Sequence, residues 1–423
     1  MTNAGVYPDT AAYNILIAGY GRSGKIKEAF HLFNEMKKRA LEPSNHTYSS
    51  LLNACSNAGP PAKEYLLKIQ EEMERRNVTL NGIATNAHLS AMASCRLHEE
   101  AFETYEKMSS QHLSPDLHTF GTLLQAASKD VRGGLEKAQR VWSEMTTRDD
   151  ITPDALCYNL LLLCMREAGI PSSMRKPLPE AAKEEGEKEP RTRKVVSSPP
   201  RGVLAADAKE IATFALPSGH KIHLCLGKWG ERWLTGEDTL GLLGAMKKAG
   251  LSPDVRTFNL LIGLAQDTEC VLKAMEEAKI PPDRKFWIAT IRSLALRGDI
   301  QGAKAILAKW ELGEDQHAYQ ALAMGCVSME DGLKLVEEME TSGIRPNEFV
   351  FGTLVGNAAK HRAFEYLTAL LKVMKHKEII PNATILQMLE RAADNPPASP
   401  WQLKRHQGFK GYYTIWKTTM CPE

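Results

Sequence analysis

Apolar residues along this chain fall into two alternating helical stretches, and the pair returns about every 35 residues. The clearest copy, TAAYNILIAGYGRSGKIKEAFHLFNEMKKRALEPS, runs from Thr10 to Ser44 and joins two amphipathic patterns at Gly21 to Gly24. In the second pattern Ala29, Phe33 and Met36 share a face, because residues four and seven apart stack along a helix. The same spacing recurs as Ala101 with Met108 and as Ala138 with Met145. Each pair of stretches therefore carries an apolar face that only its neighbours can bury, which predicts an all-α helical solenoid.

Counted from the residue after each Pro-Asp-type terminus, the units are 10–44, 45–81, 82–116, 117–154, 155–254 with an insertion, 255–283, 284–315, 316–347 and 348–382, with a partial unit from Ala383. Proline ends the preceding helix, and the short polar residue after it can cap the free amides of the next. MTNAGVYPD, residues 1–9, reads as the end of a preceding repeat, so the chain is expected to be a fragment that starts inside an array.

The period, the YNxLI opening and the Pro-Asp ending resemble the pentatricopeptide repeat (PPR) family of organellar RNA-binding proteins across about four fifths of the chain. The Trp-Leu-Gly-Tyr signature of the tetratricopeptide relative is absent. Repeats opening at Arg284 and Gln316 run short. The loose repeats, interrupted middle repeat and aromatic tail look most like animal mitochondrial members. The resemblance implies a right-handed superhelical solenoid that binds RNA along its concave groove without catalysis. It further implies the mitochondrial matrix, with tRNA precursors or ribosomal RNA and RNA-processing enzymes as partners, in tRNA 3′-end processing and leucine tRNA metabolism. The alternative is a scaffold that grips a partner helix or peptide.

By the same resemblance, the fifth residue of a repeat hydrogen-bonds one base, the last helps it select, and the second packs against the base plane. An Asn amide offers donor and acceptor together, and an Asp can orient it. Asn86 with Asp116, Asn159 with Asp254 and Asn259 with Asp283 match the family's pyrimidine pairing, leaning to uracil; Asn14 with Ser44 leans to cytosine, and Ser49 with Asn81 resembles an adenine reader. Gly121, Ile288 and Gly352 offer no such group, and Gln320 and Gln387 complete the fifth positions. The second positions His46, His118, Arg256, Lys285, His317 and Phe349 could stack on bases or reach phosphates. Against these assignments stand polar residues in the first turn of a solvent-facing helix, and ordinary helix-start capping by Asn.

A net charge of +2 is small for a nucleic-acid binder, so affinity must come from local basic surface and base contacts. The eight cysteines form no CxxC pair. Cys55, Cys95, Cys164 and Cys326 recur near the ends of first helices and read as small buried side chains. No apolar run approaches the roughly 20 residues that span a bilayer, and no basic presequence opens the chain. No P-loop, GxSxG, HExxH or zinc deaminase signature occurs, so neither enzyme activity nor a cofactor or metal is expected. His220 and His223 lack ligand partners at metal spacing, and Glu71, Glu72, Glu337 and Glu338 read as solvated faces.

The expected division is therefore 1–9, the end of a preceding repeat; 10–165, N-terminal repeats; 166–235, an insertion that is disordered apart from a small hairpin around Pro217 to Gly219; 236–394, C-terminal repeats; and 395–423, a basic aromatic tail. Pro171 to Gly202 is too polar to offset chain entropy. In the tail, Lys404, Arg405, Lys410 and Lys417 interleave with Trp401, Phe409, Tyr412, Tyr413 and Trp416, which suits either a capping helix or stacking on unpaired bases.

Overall fold

The computed structural model describes residues 8–110, 113–169, 209–226, 232–310, 315–397 and 399–420. The expected preceding repeat and the expected disorder at 171–202 lie outside these residues, apart from Pro8 and Asp9. The chain forms two compact units that meet in sequence between Ala274 and Met275.

In the first unit, first helices α1 (Thr10–Arg22), α3 (Asn45–Ala58), α5 (Gly82–Ser94), α7 (Leu117–Lys129), α9 (Ala155–Glu167) and α11 (Val255–Leu264) pack one on the next. Between them run second helices α2 (Ile26–Lys38), α4 (Lys63–Arg75), α6 (His98–Ser110), α8 (Gly134–Thr146), α10 (Gly236–Lys248) and α12 (Thr268–Glu277), the last of which crosses into the second unit. Ala29, Phe33 and Met36 are completely buried, as are Ala138 and Met145, so the predicted stripes do face the core. At Gly21 a side chain is impossible without movement: a β-carbon there would lie 2.8 Å from Ala54 Cβ, which lets α1 and α3 approach closely.

The second unit repeats the arrangement with α13 (Arg284–Leu296), α15 (Gln316–Ala323), α17 (Glu348–Lys360) and α19 (Ala383–Asp394) as first helices. Their partners are α14 (Ile300–Lys309), α16 (Met329–Thr341), α18 (Phe364–His376) and α20 (Pro400–Met420). One continuous core runs from Ile291 to Trp416. The fold is an all-α solenoid of helix-turn-helix repeats. Each of the ten first helices among the described residues begins at the residue that the sequence assigns to the start of a repeat.

The methionine that closes many second helices has a backbone role. Leu41, Val78, Leu113, Leu251, Ile280, Ile344 and Ile379 each donate their N–H to the carbonyl of the methionine five residues earlier. This is the long bond of a Schellman turn, which ties an apolar residue just past the helix back to its last turn. Where these turns need the left-handed region the chain uses Ala40, Asn77, Gly250, Lys279, Gly343 and Glu378.

The insertion is more than a hairpin. β1 (Lys209–Ala215) and β2 (Lys221–Leu226) pair antiparallel, and β3 (Arg232–Trp233) adds a third strand. The sheet docks on α8, where Trp142 Nε1 donates to Ala215 O at 2.8 Å and Gln139 Nε2 to Thr213 O at 2.7 Å. Arg232 ties β3 to the end of α9 through the carbonyls of Met165 and Ala168. Glu72 and Glu338 also depart from expectation. Glu72 is largely buried against Lys37, Arg75 and Arg76, and Glu338 pairs with Lys304 at 2.6 Å, so these carboxylates link neighbouring repeats rather than face water.

Candidate nucleic-acid interface

The site is built from the helix starts. Asp9, Ser44, Asn81, Asp116, Asp154, Asp254, Asp283, Asp315, Asn347 and Asn382 each precede a first helix and accept a hydrogen bond from a backbone N–H of its first turn. An extended cap residue satisfies amides that the helix leaves free. The terminal residue of one repeat is thus fixed in space by the next.

That fixing brings Asn86 to Asp116. Asn86 Nδ2 donates to the carboxylate at 3.0 and 3.2 Å, while Asn86 Oδ1 accepts from the Thr119 hydroxyl at 2.7 Å. Burial pushes the Asp116 carboxyl up, but hydrogen bonds from the Thr119 amide and hydroxyl and from Asn86 outweigh it and hold the group below its usual range. Asn86 therefore has one amide hydrogen and one lone pair left for a ligand. Asn159 Nδ2 reaches Asp254 more loosely, at 3.5 Å, and Asp254 is held low for the same reasons.

The other assigned pairs are arranged differently. Asn14 Oδ1 accepts from the Thr47 hydroxyl at 2.7 Å, not from Ser44, whose side chain forms a capping box with Thr47. Ser49 donates to the carbonyl of Asn45, while Asn81 caps α5. Asn259 belongs to the first unit and Asp283 to the second. Exposure varies: Asn14 is 8% and Asn159 5% accessible, whereas Asn86 and Asn259 are half-buried. Two amide oxygens, Asn159 Oδ1 and Asn259 Oδ1, are buried with no partner among the described residues, an arrangement that costs free energy. None of Asn14, Asn86, Asn159 and Asn259 occupies a cap.

The second positions are exposed in each unit. His46, His118, Arg256, Lys285, His317 and Phe349 are all exposed, and so are the apolar residues at the same place, Ile83 at 76% and Leu156. Arg284, one place earlier, pairs with the buried Asp315 at 2.7 Å.

Profile comparisons agree with the repeat reading: the PPR repeat family matches residues 8–57 and the pentatricopeptide repeat domain residues 68–130. The chain carries pentatricopeptide repeats. It is similar to mouse pentatricopeptide repeat-containing protein 1, mitochondrial, at 28% identity over 97% of this chain and 71% of the relative. The human protein of that name is 27% identical over 98% of this chain and 71% of its own length. The solved structure of the pentatricopeptide repeat protein PPR10 with an 18-nt RNA element covers 97% of this chain and 61% of that one, at 19% identity and a TM-score of 0.42; a likeness of that size carries no functional argument.

The aromatic tail of this PPR protein is a structural helix. Phe409, Tyr413 and Trp416 line the buried face of α20 against α18 and α19, with Phe409 and Trp416 each 1% exposed. Their faces are covered and cannot stack on bases. Trp401 remains exposed with Arg405 over its ring at 5.1 Å. Two features of the interface escaped the sequence reading. Thr47 and Thr119, in the first turns of α3 and α7, grip the fifth residue of the preceding repeat. Arg22, Lys129 and Lys360 stand exposed in the last turns of first helices. His220 and His223 hold no ligand set, since among the described residues no group of His, Cys, Asp and Glu could hold a metal.

Proposed function

We propose that this PPR protein binds single-stranded or unpaired RNA across the face that its first helices present, acting in mitochondria without catalysing a reaction itself. The observation that carries the proposal is the Asn86 amide, held between Asp116 and Thr119 with a donor and an acceptor left over. A pre-oriented amide can pair with the Watson-Crick edge of a splayed base. The exposed second positions, Arg256 in the first unit and Lys285 and Phe349 in the second, supply cations and faces for phosphates and bases.

The finer part of the reading is tRNA metabolism in the matrix: tRNA 3′-end processing, leucine tRNA levels and ribosomal RNA maturation, with processing enzymes recruited to the bound transcript. Its support is the resemblance to the animal mitochondrial relatives, not the geometry. The assigned readers are Asn14 with Ser44, Ser49 with Asn81, Asn86 with Asp116, Asn159 with Asp254 and Asn259 with Asp283.

Crosslinking of the full chain to RNA in cells, followed by sequencing of the bound fragments, tests it. Enrichment of mitochondrial tRNA junctions or ribosomal RNA, lost when Asn86 and Asn159 are changed together to Ala, is the expected result. Recovery of no RNA above background would favour the scaffold, in which the same positions, with apolar Ile83, Leu156 and Phe349 exposed, grip a peptide.

A further inference from the structure

We propose that Thr47 is a positioning residue for Asn14: its hydroxyl decides which edge of that amide is offered to a base, the task that a carboxylate shares in the third repeat. The inference rests on the RNA-binding reading above. The contrast between two repeats carries it. In the third, two groups orient the Asn86 amide, because Asp116 accepts from Nδ2 and the Thr119 hydroxyl bonds Oδ1. Turning that amide over would set its carbonyl against a carboxylate.

In the first repeat the terminal residue is Ser44, and no carboxylate stands there. Thr47 is completely buried. Its oxygen accepts from the Ser44 backbone N–H at 3.0 Å and lies 3.3 Å from Ser44 Oγ, and its hydroxyl donates to Asn14 Oδ1, its shortest contact, at 2.7 Å. Among the described residues Asn14 Nδ2 has no partner and, unlike Asn159 Oδ1 and Asn259 Oδ1, it is not sealed off. One hydroxyl therefore holds the amide with its oxygen inward and its nitrogen outward. Without that donor the two amide orientations differ little in energy, and the outward edge alternates between donor and acceptor.

The test is a selection from a pool of synthetic single-stranded RNA with a randomised segment, using the full chain. Asn14→Ala identifies the nucleotide read by the first repeat, as the one register whose base preference it removes. Thr47→Val is expected to lower the preference at that register about tenfold, the worth of one well-made base contact, while leaving the register of Asn86 unchanged. Thr47→Ser keeps the hydroxyl and is expected to behave as the parent. Adding Ser44→Asp to Thr47→Val installs the carboxylate of the third repeat and is expected to restore a base preference at that register, now leaning to uracil as the Asn-Asp pairs do, which also guards against a variant that merely loosens the helix start. A Thr47→Val protein that keeps its preference, or one that loses it equally at every register, overturns the positioning role. A parent chain that enriches no base at any register overturns the RNA-reading proposal itself, a result distinct from either.

Discussion

Asn86 and Asp116 lie thirty residues apart and are joined by hydrogen bonds of 3.0 and 3.2 Å, so the fifth residue of one repeat is oriented by the residue that caps the next. Because Asn86 caps nothing itself, replacing it should separate binding from folding. Asn86→Ala is expected to weaken RNA affinity by about 1–3 kcal/mol, while thermal unfolding shifts by less than ~1 kcal/mol. Fluorescence anisotropy with a labelled single-stranded RNA, beside a circular dichroism melt, reads both. Equal affinity in a folded variant removes Asn86 from the interface.

The same caps make the array sensitive to acid. Asp116, Asp254 and Asp315 are all held below the ordinary aspartate value of 3.8. In each, burial alone would raise the value, but hydrogen bonds to the ionised form outweigh it, from Thr119 and Asn86, from Thr257 and Asn159, and from Arg284 and the His317 amide respectively. A depressed folded-state value adds stability that is complete above the ordinary value and is lost as pH falls through the folded one. The contribution of these carboxylates should therefore stay level from about pH 7 to about pH 5 and fall below about pH 4, on top of a loss that begins below about pH 6.5 because burial pushes His88 down to about 4. Asp116→Asn with Asp254→Asn keeps capping side chains but removes two of the titrating groups, and should flatten the acid limb. An unaltered limb would place the acid sensitivity elsewhere.

How much of this was legible from sequence depends on whether the signal is local. Every first-helix start was readable, because an Asp, Asn or Ser closes each repeat and caps the next helix, and in all but Asn81 and Asp315 a proline before it stops the earlier one, both effects lying within a few residues. The buried face of α20 was readable too: Phe409, Tyr413 and Trp416 follow the spacing of Ala29, Phe33 and Met36, and their composition drew attention to nucleic acid when their period pointed inward. β3 was not readable, since two residues give no alternation to detect, and its place depends on Arg232 reaching carbonyls on α9. Nor were the Thr47 and Thr119 contacts, because a threonine two places into a helix reads as a local capping group, and its second partner lies 33 residues away. The burial of Asn14 and Asn159 is likewise set by neighbouring repeats rather than by their own helices.

Docking of the inserted sheet gives a further expectation. Trp142 is fully buried on α8 and donates its indole N–H to Ala215, the last residue of β1. Trp142→Phe keeps an aromatic ring but removes the donor and leaves the Ala215 carbonyl short of a partner, which should cost about 1–3 kcal/mol. Faster hydrogen exchange across residues 209–226, with α1 to α5 unchanged, is the expected signature. Uniform protection in the variant would show that the indole bond does not hold the sheet.

Ala101 tests the register of the whole array from the opposite side. It sits fully buried on α6, seven residues before the equally enclosed Met108, in the stripe that each second helix turns to the core. Aspartate there would place an unpaired charge where neither water nor a cation has been provided, and burying such a group costs several kcal/mol before any packing change is counted. Ala101→Asp is expected to destabilise the first unit by more than ~3 kcal/mol, whereas Glu103→Ala, two residues on and exposed, should leave the melt within ~0.5 kcal/mol of the parent. The pair fixes the helix phase independently of any RNA: equal melts for the two variants would mean that α6 turns another face to its neighbours.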